Sequence, residues 1–119
     1  MSPVEKNNVY LTLLLTTTNN QQAEALLETI TPEQIDAISE LAVHLPALKV
    51  GVKARKLLDR RRGVLSLLAK SSVSKTKKLN HIRRYRRGLL EILASIKLPL
   101  LRVLNKLKDE VEKDGSHPL

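Results

Sequence analysis

No cysteine, phenylalanine or tryptophan occurs in this chain of 119 residues, which has only four glycines, five prolines and two tyrosines. Without cysteine there is no disulfide, no thiol nucleophile and no thiolate metal site. That absence suits an intracellular, nuclear or virion protein. Two tyrosines are too few for the aromatic platforms on which RNA and single strands are commonly held. Few glycines and little turn punctuation argue against a strand-rich fold. No apolar run approaches the ~20 residues that cross a bilayer. The run Val9 to Leu15 is broken by Thr12 and preceded by Glu5, so it does not read as a secretory signal. The expectation is a chain neither secreted nor transmembrane.

What is present is aliphatic: Leu, Ile, Val and Ala supply nearly all of the apolar content. That composition predicts an all-α fold, a small bundle of about five to six helices with no sheet. The length fits one domain over residues 1–113, with a disordered tail at 114–119. Ser2-Pro3-Val4-Glu5 reads as a helix start, with Glu5 reaching back to the cap amide. A first helix follows from Pro3 to about Leu15, with Val9, Leu13 and Leu14 near one face; its β-branched and aromatic content would also suit a strand. Asn20 caps a short second helix, Gln21 to Glu28, which buries Ala23, Leu26 and Leu27.

The strongest local signal is Ile30-Thr31-Pro32-Glu33-Gln34-Ile35, which has capping-box order with a hydrophobic staple. The third helix runs to about Leu45, burying Ile35, Ile38, Leu41, Ala42 and Leu45, and Pro46 stops it. A fourth spans about Val52 to Lys70, with Ala54, Leu57, Leu58, Val64, Leu65 and Leu68 in one stripe and Arg61 inside it. Ser74 caps a fifth, Lys75 to about Ile96, with Leu79, Ile82, Leu89, Leu90, Leu93 and Ile96 inward. A last amphipathic helix, 99–113, begins at Pro99. Its Leu100, Leu104, Leu107 and Val111 recur as a narrow stripe suited to a homo-oligomer contact.

Charge is segregated along the chain. Lys49 to Arg87 holds fifteen Lys and Arg against Asp59 alone. Residues 1–48 hold Glu5, Glu24, Glu28, Glu33, Asp36 and Glu40 against Lys6, and residues 109–119 hold four acids against Lys113. The net +9 of the whole chain understates how basic its middle is. Such a block is most simply a surface for a polyanion. The candidate nucleic-acid-binding residues are Lys53, Arg55, Lys56, Arg60, Arg61, Arg62, Lys70, Lys75, Lys77, Lys78, Arg83, Arg84, Arg86 and Arg87. Antiparallel packing of the two basic helices would merge their clusters. Phosphate binding asks for dense charge with little geometric precision.

Asn80 and Arg84 share a helical face that could read bases, but they are read as a surface Asn and a phosphate contact. Tyr85 is read as packing at a core border rather than stacking on a base. Arg61 and Arg86 fall in apolar stripes, where their stems can cover core edges while the guanidinium reaches water. Lys75-Thr76-Lys77-Lys78 with the later Arg cluster also has the composition of a nuclear import signal. His44, His81 and His117 have no ligand spacing, so no metal is expected. Glu33, Asp36 and Glu40 are helix neighbours without a convergent His or Gly-rich loop. They read as a solvated acidic face that could mask the basic block or meet it in a neighbouring copy. No nucleophile–base pair is found, and neither enzyme activity nor a cofactor is expected.

The order of features from about Ala25 to Leu101 resembles a known family. The residues that carry it are Leu26-Leu27-Glu28-Thr29, Thr31-Pro32-Glu33-Gln34-Ile35 and Ala37-Ile38-Ser39-Glu40-Leu41-Ala42. Leu57-Leu58, Leu67-Leu68-Ala69-Lys70, Val73-Ser74, Lys77-Lys78-Leu79 and Gly88 follow, before a Leu-rich end. The pattern resembles small basic proteins of Maverick/Polinton-type DNA transposons and adintovirus-like elements. It departs from them at His44-Leu45-Pro46-Ala47, where relatives carry a polar, Gly-containing link, and at Gly88, where they carry a Gly pair. The resemblance implies a virus-like element with double-stranded DNA, a nuclear or packaged protein, and no catalytic residues. The leading expectation is a DNA-binding protein, DNA favoured over RNA, with little sequence specificity and a role in genome condensation or packaging. The alternative is a capsid-associated or membrane-active protein. It would act through the cationic amphipathic stretch from Ile96 to Lys108, which could lie on an anionic membrane surface.

Overall fold

Helix α4, Pro32–His44, is the hub of the molecule. It packs against α1 (Pro3–Lys6), α6 (Arg62–Ala69) and α7 (Lys75–Arg84), and a 3-10 turn, Leu45–Ala47, closes its end. Five of its residues, Ile35, Ala37, Ile38, Leu41 and Ala42, are buried, and two of them are alanines that let neighbours approach closely. Around it lie α2 (Asn8–Thr16), α3 (Asn20–Glu28), α5 (Val52–Arg60), α8 (Arg86–Ser95) and α9 (Lys97–Gly115). The structure, a computed structural model, describes the backbone of residues 1–115 and the side chains of 1–107 and 109. Among these residues there is no strand, so the all-α expectation holds. The expected tail begins inside α9, and residues 116–119 lie outside the described residues.

Among the described residues there are nine helices against the five to six expected, for one recurring reason. Three of the predicted helices are each bent at a single residue or its equivalent: Asn7 divides α1 from α2, Arg61 divides α5 from α6, and Tyr85 divides α7 from α8. Ile96 then divides α8 from α9, so the last helix starts two residues before Pro99. All four residues leave the helical well for φ between −98° and −112° and ψ between 14° and 24°. The hydrogen bond to the residue four back survives at each: Asn7 to Pro3, Arg61 to Leu57, Tyr85 to His81, Ile96 to Ile92. The rods therefore bend without ending. Pro99 is tolerated in the first turn of α9 because an amide there has no intrahelical partner to lose.

Capping follows the sequence closely. Thr31 and Gln34 exchange both bonds of a capping box, at 3.2 and 3.0 Å. Ser2 and Ser74 cap α1 and α7 through the amides of Glu5 and Lys77. Asn19, not Asn20, caps α3 by accepting from the Gln22 amide. The Val4 amide, at the start of α1, donates to the Glu40 carboxylate across 2.8 Å, pinning α1 to the hub.

The first helical segment was expected to bury Val9 and Leu13. Val9 is 84 % exposed and Leu13 is also exposed; α2 buries Leu11, Leu14 and Leu15 instead. Turning past Asn7 resets the helical phase, so the inward face moves by one position. Of the stripe expected to meet a second copy, the described side chains pack within the chain itself. Leu100 and Leu104 are buried in the chain's own core and Leu107 packs against it. Helix α9 meets α1 and α2, with Asn8 donating to the Leu104 carbonyl at 2.9 Å. The side chain of Val111 lies outside the described residues. No described helix is long and apolar enough to cross a membrane.

Tyr10 ties α2 to α3 by donating its hydroxyl to the Leu26 carbonyl at 2.7 Å. Burial pushes this phenol above its ordinary range. The folded chain then holds a proton that the unfolded chain releases near pH ~10. Stability from this source is full below that pH and is lost as pH rises through the folded value. Urea melts of Tyr10→Phe and wild type are expected to differ by about 1 kcal/mol near neutral pH, for the lost hydrogen bond. The wild-type advantage should shrink progressively above pH ~10. A difference that stays constant there would remove the linkage.

Candidate nucleic-acid interface

The two basic segments pair as a bent antiparallel hairpin. Helix α6 packs on α7 beside the connecting loop, and α5 packs on α8 at the far end. The bends are in register. Arg61, the bend of the first arm, lies against Gly88 of the second, where a Cβ would meet its guanidinium carbon at 3.7 Å. It also reaches Glu91 at 3.5 Å. The expected antiparallel packing of the two basic segments is therefore present, although the cations on them do not share one fate.

Seven of the fourteen candidate residues are exposed and make no ion pair among the described residues: Lys53, Lys56, Arg60, Arg62, Lys70, Lys77 and Arg84. On α5 the residues Lys53, Lys56 and Arg60 stand at i, i+3 and i+7, so they form one stripe beside the buried Ala54, Leu57 and Leu58. On α7 the residues Lys77, Asn80 and Arg84 repeat the same spacing, opposite the buried Ile82. Each stripe is about 10.5 Å long, the axial rise of about three base pairs of duplex. Arg62, the first residue of α6, and Lys70, just past its end, are exposed as well. Lys49, just before α5, is exposed and likewise unpaired among the described residues; it had not been counted among the candidates.

The other seven are engaged by the chain itself. Arg83 sends two guanidinium nitrogens to the Glu28 carbonyl, at 3.2 and 3.0 Å. A cation is thereby set on the last carbonyls of α3, where the helix dipole favours it. Arg86 donates to the Arg83 carbonyl at 2.9 Å and approaches Glu24 at 3.7 Å, and Arg87 meets the same carboxylate at 3.3 Å. Lys75 pairs with Asp36 at 2.9 Å. Arg55 donates to the Leu48 carbonyl at 2.7 Å. Arg61 is paired with Glu91, and its Nε is buried without a partner among the described residues.

Lys78 is the clearest departure. It is only 7 % exposed, and its ammonium donates to Ser39 Oγ at 3.0 Å, deep against the hub. It is a structural residue, not part of a displayed basic surface, and the import-signal reading of 75–78 loses one of its three cations. Lys78→Met keeps the stem and removes the buried charge. The substitution removes one hydrogen bond to the half-buried Ser39 hydroxyl along with a desolvated charge, so urea melts are expected to move by no more than about 1 kcal/mol, and nucleic-acid affinity should not change. A variant that bound markedly less well would put Lys78 back on the surface.

The acidic N-terminal half is also not a plain solvated face. Glu24 and Asp36 neutralise part of the basic hairpin, and Glu40 holds the α1 amide. His44 is exposed and the His81 ring bonds the Val64 carbonyl at 3.1 Å, while His117 lies outside the described residues. A cavity of about 520 Å³ lies between α4, α5 and α6, walled by Val43, Leu45, Leu58 and Leu65 with Arg55, Asp59 and Arg62 at its rim. No protein-family model matches the chain, and no curated protein and no solved structure matches it.

Proposed function

We propose that this protein binds nucleic acid, double-stranded DNA in the first place, through phosphate contacts made by the outer face of the α5–α8 hairpin. The observation that carries the reading is the set of seven unpaired, exposed cations concentrated between Lys53 and Arg84. Among the described residues, the acids that form ion pairs, Glu24, Asp36 and Glu91, meet Arg86, Arg87, Lys75 and Arg61, and none meets these seven. Positive charge left unpaired at this density repels itself, and a polyanion relieves that repulsion. Two short stripes, one on α5 and one on α7, with little hydrogen-bonding variety favour backbone contact over base reading. The resemblance to proteins of Maverick/Polinton-type elements suits the same reading and suggests genome condensation or packaging, with action in the nucleus or a virion.

The capsid-associated or membrane-active alternative rests on α9. It has less support, because the helix buries Leu100 and Leu104 in the core and, among its described side chains, exposes only Leu98 and Val103 as large apolar residues. A gel-shift salt titration on blunt duplex DNA separates the readings. Seven phosphate contacts predict a log–log slope of about −6, an affinity loss of roughly a thousandfold or more between ~50 and ~200 mM salt. Weak binding that hardly responds to salt would reject the proposal. Leakage from anionic vesicles would favour the alternative.

A further inference from the structure

Tyr85 stands out among the residues of the basic hairpin. It is the bend between α7 and α8, and it is 36 % exposed. Its ring is fixed by neighbours without being enclosed by them. The His81 ring lies 4.7 Å away, centroid to centroid, tilted by 55°. His81 is itself tied to the Val64 carbonyl of α6. The Arg84 guanidinium carbon sits 5.4 Å from the Tyr85 ring centroid, and Arg84 is one of the seven unpaired cations.

The other tyrosine shows what a packing role looks like in this chain: Tyr10 has its phenol buried and its hydroxyl bonded to a carbonyl. Tyr85 is in the opposite situation, exposed at the bend with the Arg84 guanidinium over its ring. An exposed ring covered only by an arginine without an ion pair suits a flat, anionic partner, which would take the guanidinium's place over the ring as the guanidinium turns to the partner's phosphate. Bases inside a duplex are stacked on each other and cannot use such a ring, whereas an unpaired base can.

We infer that Tyr85 is a stacking platform for one unpaired base, with Arg84 placed for the neighbouring phosphate. The preferred ligand is then duplex DNA interrupted by an unpaired nucleotide, as at a short gap, rather than a uniform duplex. This deepens the phosphate-binding reading and rests on it. Stacking supplies what the cationic stripes lack, a reason to stop at one place along a polymer that they grip evenly.

The test uses the full chain and two labelled duplexes of equal length, one blunt and continuous, one with a short central gap. Wild type is expected to bind the gapped duplex roughly tenfold more tightly, within the usual range for one stacked base. Tyr85→Phe should keep that preference; Tyr85→Leu and Tyr85→Ala should lose it while binding the blunt duplex as before. In a Tyr10→Phe background Tyr85 is the sole intrinsic fluorophore, since the chain has no tryptophan. Its emission should fall on saturation with gapped DNA and stay level with blunt DNA. Equal affinity for the two duplexes, a preference that survives Tyr85→Leu, or an emission that does not respond to the gap would each overturn the inference. Failure of the underlying reading looks different: the blunt duplex would then be bound weakly and without salt dependence.

Discussion

Replacing Lys53, Lys56, Arg60, Lys77 and Arg84 together by glutamine is expected to abolish most duplex binding while leaving the fold intact. All five side chains are exposed and carry no ion pair among the described residues. Surface changes of this kind usually move stability by no more than ~0.5 kcal/mol each. Each phosphate contact contributes about −0.9 to the log–log salt slope, so removing five should bring it from about −6 towards about −2. At ~100 mM salt the affinity should fall by at least roughly a hundredfold, since each lost ion contact multiplies with the others. The paired variant, Arg83, Arg86 and Arg87 to glutamine, should show the reverse balance. Those guanidinium groups hold Glu28 and Glu24 on the second helical layer, so thermal stability should drop and the salt slope should change little. Should the Arg triple, rather than the five-residue variant, flatten the slope, the contact surface would lie around the α7–α8 bend and the division between free and paired cations would be wrong.

That contrast shows where sequence reading reached its limit. The helical class, the Thr31–Gln34 capping box, the Ser74 cap and most of the inward residues were legible because they depend on neighbours within one or two turns. The bends at Asn7, Arg61 and Tyr85 were not, whereas a boundary at about Ile96 was expected and is found. Asn7, Arg61 and Tyr85 are neither glycine nor proline, and the apolar period runs on through each of them. Each hydrogen bond back to the residue four earlier is kept, so no local breaker had to be written into the sequence. The cause is tertiary: the arms bend to follow the core, and only their partners reveal it.

The basic surface was half legible for a similar reason. A run of Lys and Arg announces density of charge, but the fate of each member is decided by residues far along the chain. Lys78 is consumed by Ser39, Lys75 by Asp36, Arg83 by the end of α3 and Arg87 by Glu24. Helical spacing could have flagged Lys78, which stands four residues before the buried Ile82, on the same face. No comparable signal marks Arg83, because the carbonyl it caps is 55 residues away. The outward stripe of α7, by contrast, follows directly from the positions of Lys77, Asn80 and Arg84 on the wheel.

Leu104→Ala should be among the most damaging single substitutions in the described chain. Leu104 is 0 % exposed, and it sits where α9 closes over α1 and α2. Truncating a fully buried leucine costs ~2–5 kcal/mol, depending on how far the cavity collapses. For a domain of this size each kcal/mol corresponds to roughly 4–8 °C, so a fall in Tm of roughly 10–30 °C is expected. Leu98→Ala, one and a half turns earlier and 66 % exposed, should change Tm by little. The pair also decides what the apolar stripe of α9 is for. If Leu104 serves the chain's own core, the loss is the same at every protein concentration, and wild-type Tm does not depend on concentration either. If it serves a contact between copies, wild-type Tm rises with concentration by mass action, and Leu104→Ala lowers the association while sparing the dilute protein. Burial of Leu100 and Leu104 together, with the Asn8 side chain bonded to the Leu104 carbonyl, supports the first outcome. A hairpin that offers its cations to a polymer needs a rigid back, and on this account α9, through α1 and the hub α4, is part of that back.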